Sequence, residues 1–366
     1  MPRFMTRFVR MATLLLIVSL LTAACASATP TQATSQTTSA AATATATAKA
    51  TTTANSSSTG STTASSNSAI RIAALKGPTG IGMVSLMEEA AQKKTADNYQ
   101  FTLSAAPDDL VAKLSSGEVD IAALPTNLAA SLYQKTNGRI KLLAINTLGV
   151  LYILENGNSV QSVADLKGKT LAASGQGATP EFALNAILGQ AALTPAPTVT
   201  WLQEHAELAT QAIAGKFNLV MLPEPFVTTV LTKAPQFRIA IDLTKAFATA
   251  TQKTATDKSE LAMGCLAVRA DFAEKNAEAI KRFLTAYEAS TKWVNANVDQ
   301  AGALVAKYTI MADAKAAAKS IPTCNITFVA GKDMKPMIEP LFSILFKAEP
   351  KSIGGKMPDD AFYYIP

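Results

Sequence analysis

The residues best placed to do chemistry lie in Arg71-Ile-Ala-Ala-Leu-Lys-Gly-Pro-Thr-Gly80, followed by an apolar-periodic run from Ile81. This reads as a strand, a tight glycine turn and a helix. Lys76, Gly77, Thr79 and Gly80 then stand where the carboxyl end of a strand meets a helix amino end. Backbone N–H groups are free there, the helix dipole favours electron-rich ligand atoms, and glycine lets a ligand approach the main chain. Adding 98 to each number carries Lys76–Gly80 onto Ser174-Gly175-Gln176-Gly177-Ala178, Gly117 onto Gly215, and Leu124-Pro125 onto Leu222-Pro223, with no gap between. A run in register of this kind is an internal repeat, and it predicts two similar α/β lobes with their glycine turns facing each other.

Ligands of open parallel sheets bind beyond the carboxyl ends of the strands, where strand order reverses. The loops that reach such a cleft are expected to be Lys76–Gly80 with Thr126 and Asn127 from one lobe. The other lobe should offer Ser174, Gly175, Gln176, Gly177, Thr179 and Glu224. Each has a plainer reading: Thr126-Asn127 as a helix cap, Glu224 as complement to a helix amino end, Lys76 as a solvated lysine. His205, the single histidine, precedes a helix and is expected to cap it or lie at the surface, and Trp201 and Phe226 are read as core. No phosphate-loop or complete dinucleotide fingerprint is present, no His/Cys cluster has metal-ligand spacing, and no nucleophile–histidine–acid arrangement is suggested. No cofactor and no metal are expected.

Alternating elements should position these loops. Ile70–Leu75, Tyr99–Ser104, Ile121–Leu124 and Ile140–Thr147 read as strands of lobe one, with helices from Ile81, Pro107 and Pro125 between them. Gly149–Glu155 is an apolar strand that breaks the alternation and is taken as the first crossing into lobe two. There the strands Thr170–Ala173, Val199–Leu202, Leu219–Leu222 and Phe237–Leu243 repeat the plan. Residues 244–263 read as a polar surface loop, Cys265–Arg269 as the returning strand and Ala273–Ala296 as one long amphipathic helix. Ile321–Phe328 carries Cys324, Lys332–Phe346 is the last strong helix, and the tail from Ser352 is expected to pack back on the body. Lobe one is thus 70–148 with 264–366, and lobe two 149–263.

The amino end differs in kind. The chain of 366 residues has a net charge of +6, but residues 1–69 hold four basic residues and no acidic one, leaving 29 basic against 27 acidic residues beyond them. That near balance is no nucleic-acid footprint. Three arginines precede the apolar run from Ala12 to Leu21, and Thr22-Ala-Ala-Cys25 follows. Residues 1–25 read as a lipoprotein signal peptide with Cys25 as the lipidation site, although Thr22 stands where such signals usually carry leucine. Residues 26–69, almost pure Ala, Ser and Thr, cannot bury enough to order themselves and would form a tether spanning roughly 35–40 Å. Cys265 and Cys324 are the remaining cysteines. Outside the cell such a pair is expected to bridge, worth about 4 kcal/mol in the chain-entropy model, with two buried thiols as the alternative.

Taken together, the lipoprotein signal, the tether, Lys76-Gly-Pro-Thr-Gly80, Ser116–Asn127, Asp165-Leu-Lys-Gly-Lys-Thr170 and Leu222-Pro-Glu-Pro225 resemble the extracytoplasmic solute-binding lipoproteins of ABC importers. The group they resemble most is the nitrate/taurine/sulfonate and thiamine-pyrimidine-precursor type. The resemblance spans about residues 70–350. It implies a two-lobe type II periplasmic-binding fold, each lobe a mostly parallel sheet flanked by helices, joined by two crossover strands. It also implies a lipid-anchored, monomeric, non-enzymatic protein outside the cell membrane. Such a protein would close on a small polar or heteroaromatic solute by hinging at Thr147–Leu151 and Ala262–Leu266, and deliver it to a permease and ATPase. With no arginine in the cleft loops, a bidentate clamp on a sulfonate is disfavoured, and Glu224 opposite the glycine turns leans toward an amine-bearing ring. The alternatives are an enzyme on the same fold, such as a pyrimidine-precursor synthase or a small-molecule lyase, and a ligand-sensing lipoprotein.

Overall fold

The computed structural model describes residues 68–251 and 261–366. The signal peptide, Cys25 and the tether to residue 67 lie outside them. Eleven strands are present among the described residues: β1 (Ile70–Leu75), β2 (Tyr99–Ser104), β3 (Ile121–Pro125), β4 (Ile140–Thr147), β5 (Leu151–Asn156), β6 (Thr170–Ser174), β7 (Thr198–Leu202), β8 (Leu219–Pro223), β9 (Phe237–Asp242), β10 (Gly264–Arg269) and β11 (Ile326–Ala330). Helices α1 (Pro78–Ile81), α2 (Val84–Ala91), α3 (Pro107–Ser116) and α4 (Thr126–Lys135) intervene in the first part of the chain. Helices α5 (Thr179–Ala191), α6 (His205–Ile213), α7 (Phe226–Lys233) and α8 (Leu243–Thr251) accompany β6 to β9. Beyond β10 come α9 (Ala270–Lys275), α10 (Ala277–Ala296), α11 (Val298–Lys307), α12 (Ala314–Ser320) and α13 (Met334–Ala348).

The strands form two sheets, of order β11-β4-β10-β3-β1-β2 and β7-β6-β8-β5-β9. In the first, β10 runs antiparallel to both β3 and β4; in the second, β5 runs antiparallel to both β8 and β9. The two orders are therefore the same plan, each with one reversed strand inserted at the same place and β11 added at one edge. The register shows that the repeat is not free of gaps. Ile72 pairs with Ile121, 49 positions on, whereas Ala172 pairs with Val220, 48 positions on. Relative to β1 and β2, which pair 29 positions apart, β6 and β7 pair 28 apart, so one residue is missing between β6 and β7; β6 corresponds to β1 at a shift of 99 and the later strands at 98.

Local chemistry accounts for the elements. Strands β3 and β8 are buried throughout, as central parallel strands covered on both faces must be. Helix α3 opens on Pro107 with Asp108 and Asp109 at its positive end, and Gly117 closes it at φ 77°. Gly215 takes the same φ of 77° after α6, and this left-handed stop is what glycine allows cheaply at both places. In the Asp165–Lys169 motif, Asp165 accepts from the Gln161 and Ser162 backbone N–H groups and closes a capping box ahead of β6.

Three expectations are corrected. Residues 243–251 are helical (α8), because Leu243 and Phe247 fall four apart and bury the same face; of the expected loop, 252–260 lie outside the described residues. The helix expected over Ala273–Ala296 is two, α9 and α10, broken at Asn276, whose side chain donates to the Phe272 carbonyl. The Cys265–Cys324 bridge is absent, and both are buried free thiols. Cys265 sits in β10 with Sγ toward the Leu124 carbonyl (3.5 Å), while Cys324 faces Ser320 Oγ (3.9 Å) in a different apolar cluster. Burial without a cationic neighbour pushes both thiols' pKa up, so neither is a reactive thiolate.

One apolar cluster covers a face of the first sheet (Leu110, Leu124, Leu142), runs through Leu341 and Phe342 of α13, and continues onto the second sheet at Leu171, Ala173 and Leu184. The other faces carry their own clusters, with Phe283 and Tyr287 of α10 on the first sheet and Leu208, Val227 and Val230 on the second. The tail packs back as expected: Phe362 is buried and the Tyr364 N–H donates to the Leu142 carbonyl (2.9 Å). The chain crosses between the sheets twice, through 148–150 and 261–263, and the crossings touch where the Met263 N–H donates to the Thr147 carbonyl (2.9 Å).

Candidate functional site

The first glycine turn lies against these crossings. A cavity of about 50 Å³ lies there, walled by Leu75 at the end of β1 with Lys76, Gly77, Pro78 and Thr79 beyond it, by Pro125 at the end of β3, and by Met263 and Gly264 entering β10. Thr147 at the end of β4 and Val150 of the first crossing complete that side, and Pro180, His205 and Pro223 close it from the second sheet. The walls are largely apolar, and Lys76 is the one charged side chain among them. Pro125 and Pro223, 98 apart, face the same space from the two repeats.

Beside the cavity the sheets are joined by a seam of hydrogen bonds. Thr126 Oγ1 donates to the Ala262 carbonyl (2.6 Å) and stands 3.3 Å from Thr179 Oγ1. Thr179 Oγ1 donates to Asn127 Oδ1 (3.0 Å), and Asn127 Nδ2 donates to the Gly177 carbonyl (3.3 Å) and the Ser352 carbonyl (3.2 Å). Thr126, Asn127 and Thr179 are fully buried. Each such bond nets about 1 kcal/mol while paired, and more is lost when a buried partner is left alone.

The structure thus brings Lys76, Gly77 and Thr79 to the cavity wall, and places Thr126, Asn127, Gly177 and Thr179 in the seam. Ser174 and Gly175 lie directly behind His205: Ser174 Oγ is 2.7 Å from His205 Nδ1, and a Cβ at Gly175 would stand 3.4 Å from His205 Cε1. Gln176 is exposed. Gly80 is packed inside α1, where a Cβ would come within 2.7 Å of the Leu75 carbonyl. Glu224 is buried but turned away from the cavity. Its carboxylate accepts from the Thr228 N–H (3.0 Å), Thr228 Oγ1 (3.0 Å) and Thr323 Oγ1 (3.0 Å). Burial raises its pKa against the pull of those donors.

His205, expected to cap a helix or lie at the surface, opens α6 and stands on the cavity wall. Its ring packs on Phe226 with centroids 5.6 Å apart, and desolvation pushes its pKa down to about 4. It is therefore neutral at physiological pH. The signal for it was positional: His205 follows β7 as Pro107 region follows β2, one strand edge from the glycine turn. Met263 and Gly264 were legible only as part of a hinge. A larger groove of about 460 Å³ near Gly117, Arg139 and Arg269 lies at the other ends of the parallel strands, and Arg269 there is committed to Asp120 and Asp271.

Residues 138–301 match the family model described as NMT1/THI5 like. No curated protein matches the chain. Among solved structures it is similar to an ABC transporter from Parabacteroides distasonis, with 27% identity, 81% of this chain and 98% of that one covered, and a TM-score of 0.66. It is also similar to the periplasmic aliphatic sulphonate binding protein SsuA from Escherichia coli (18% identity, 81% and 92% covered, TM-score 0.62). A third likeness is to the alkanesulfonate-binding protein SsuA from Xanthomonas axonopodis pv. citri bound to MOPS (14%, 79% and 94%, 0.61). The fold of this chain is that of the periplasmic binding proteins. Among the described residues no group of His, Cys, Asp and Glu could hold a metal ion, and no helix is long and apolar enough to cross a membrane.

Proposed function

We propose that this protein is the solute-binding component of an ABC importer, held outside the cell membrane by a lipid on Cys25 and acting as a monomer without turnover. The observation that carries the reading is the cavity at the double crossing, lined from equivalent edges of two repeated sheets and closed by the Thr126–Asn127–Thr179 seam. At about 50 Å³ it holds a water or so, far below the roughly 300–1,000 Å³ of ligand pockets. Solute entry therefore requires the seam to part. Residues 70–148 with 264–366 would form one body and 149–263 the other, hinged at 147–151 and 262–266, with solute contacts to both favouring the closed form.

The solute class follows from the walls. Lys76 and the amino ends of α5 and α6 favour an electron-rich head group, while Leu75, Val150, Met263 and the four prolines suit an apolar body. Glu224 is engaged by Thr228 and Thr323, which removes the main reason to favour an amine-bearing ring. A small organic anion such as an alkanesulfonate fits best, and the sulfonate binders of the same fold support the choice.

A thermal-shift screen of wild-type protein against alkanesulfonates, carboxylates, nitrate and aminopyrimidines tests this. A solute at 100 times its Kd stabilises by about 2.7 kcal/mol, which is readily seen as a rise in Tm. The expected result is a shift with alkanesulfonates and none with aminopyrimidines; a flat response to every class removes the solute-binding reading. Incorporation of labelled palmitate, lost in Cys25→Ser, tests the anchor.

A further inference from the structure

Three side chains on the cavity wall can both donate and accept, Thr79, Thr147 and His205; the two hydroxyls give their protons to the Leu75 carbonyl (3.2 Å) and to Asn146 Oδ1 (3.2 Å), which singles out the imidazole of His205. Its Nδ1 is 2.7 Å from Ser174 Oγ, and Ser174 is fully buried. A serine hydroxyl has one proton, and His205 Nδ1 is the partner the geometry provides for it. If Nδ1 carried a proton and donated to Oγ, the buried hydroxyl would be left with a proton and no acceptor, a costly arrangement. Ser174 therefore donates to Nδ1, and the imidazole proton resides on Nε2. Phe226 packs against the ring (centroids 5.6 Å apart) and Gly175 lies by Cε1, so the ring is held in place. Desolvation, with no charged partner contributing, keeps the ring neutral down to about pH 4. It also opens α6, whose amino end favours electron-rich atoms.

We infer that His205 is the solute-reading side chain of this cavity: Ser174 fixes its tautomer, and its Nε2–H donates to an oxygen of the bound solute. The inference rests on the solute-binding reading and adds the group that selects among solutes. A neutral N–H donor among apolar walls recognises an acceptor oxygen without supplying a full countercharge, which favours a sulfonate or carboxylate oxygen and gives nothing to a ring amine. Ser174, acting through His205, is a positioning residue.

Because the chain has a single histidine, long-range 1H–15N NMR reads this ring alone. The wild-type protein without added solute should show Nε2 protonated and Nδ1 bare, with a titration midpoint near pH 4. Saturation with butane-1-sulfonate should then move the Nε2 resonance. His205→Phe should weaken butane-1-sulfonate binding by about tenfold or more, the worth of one hydrogen bond to a charged group, and should also lower the unliganded Tm, because it takes the acceptor from the buried Ser174 hydroxyl. His205→Gln, which keeps an N–H donor, should recover most of the affinity, and Ser174→Ala should mix the two tautomers. A proton found on Nδ1, or an Nε2 resonance unmoved by butane-1-sulfonate that does raise Tm, overturns the role of His205. So does wild-type affinity in His205→Phe. If no alkanesulfonate raises the Tm of wild type, it is the solute-binding reading for this class that falls.

Discussion

Glu224 separates a structural account of the site from a ligand-contact account. Its two oxygens serve three donors: the Thr228 N–H in the first turn of α7, Thr228 Oγ1, and Thr323 Oγ1 from beyond α12. Thr323 also reaches the Ser320 carbonyl (2.9 Å), so its hydroxyl survives loss of the carboxylate. The Thr228 N–H does not. Glu224→Ala should therefore cost about 2–3 kcal/mol, a lost helix cap plus a buried N–H without a partner. For a domain of this size that is a fall in Tm of roughly 4–10 °C. Glu224→Gln keeps an acceptor for Thr228 and should cost less. The pH dependence has a definite sign. Burial raises the folded-state pKa of Glu224 above its ordinary value of 4.5. The folded form then holds the proton more tightly, so wild type is most stable, as far as this group goes, below about pH 4.5, and loses that contribution as pH rises through the raised value. Glu224→Gln does not titrate, so its Tm relative to wild type should rise between pH 4 and pH 8. Differential scanning fluorimetry across that range is the assay. A Glu224→Ala protein with wild-type Tm at every pH, but with solute-induced stabilisation abolished, would refute the reasoning and return Glu224 to the ligand.

Asn127→Ala removes the donor to the Gly177 and Ser352 carbonyls and the acceptor for Thr179, and should destabilise by about 2 kcal/mol while parting the seam. Small-angle scattering should then show a larger radius of gyration; an unchanged radius would mean that other contacts hold the sheets together. Asp120 is 2% exposed and accepts from the Arg71 N–H, Nε and guanidinium. Since the Arg71 side chain is 40% exposed, Asp120→Ala should cost about 2–3 kcal/mol, below the usual figure for a fully buried pair, as urea denaturation will report. Cys265 and Cys324 should both take up iodoacetamide in urea without reductant, seen as two adducts by mass spectrometry. A mass without those adducts would restore the bridge.

The strand–glycine–helix units were readable because they are short-range. Gly117 and Gly215 stop their helices through backbone freedom alone, and the apolar runs Ile121–Leu124 and Leu219–Leu222 mark central strands by composition. The repeat also announced itself, down to the paired Pro125 and Pro223 that face one cavity. The break at Asn276 was harder to see, since an amphipathic pattern runs through it and only the side-chain bond to Phe272 shows where one helix ends. In the same way, α8 was hidden in a polar stretch whose two apolar anchors, Leu243 and Phe247, signify nothing until there is a surface to bury them against.

The chain by itself determined which segments become strands and helices, that the halves are built alike, and that the glycine turns end at sheet edges, since these follow from the covalent and steric character of neighbouring residues. Tertiary packing decided where the polar groups spend their hydrogen bonds. Glu224 turned to Thr228 and Thr323, Asn127 to Gly177 and Ser352, and His205 to Ser174, while Cys265 and Cys324 were buried in separate clusters. Those choices set partners far apart in sequence against one another. A buried donor or acceptor takes whichever partner the folded chain places within about 3 Å, and one residue type at one position does not say which that will be.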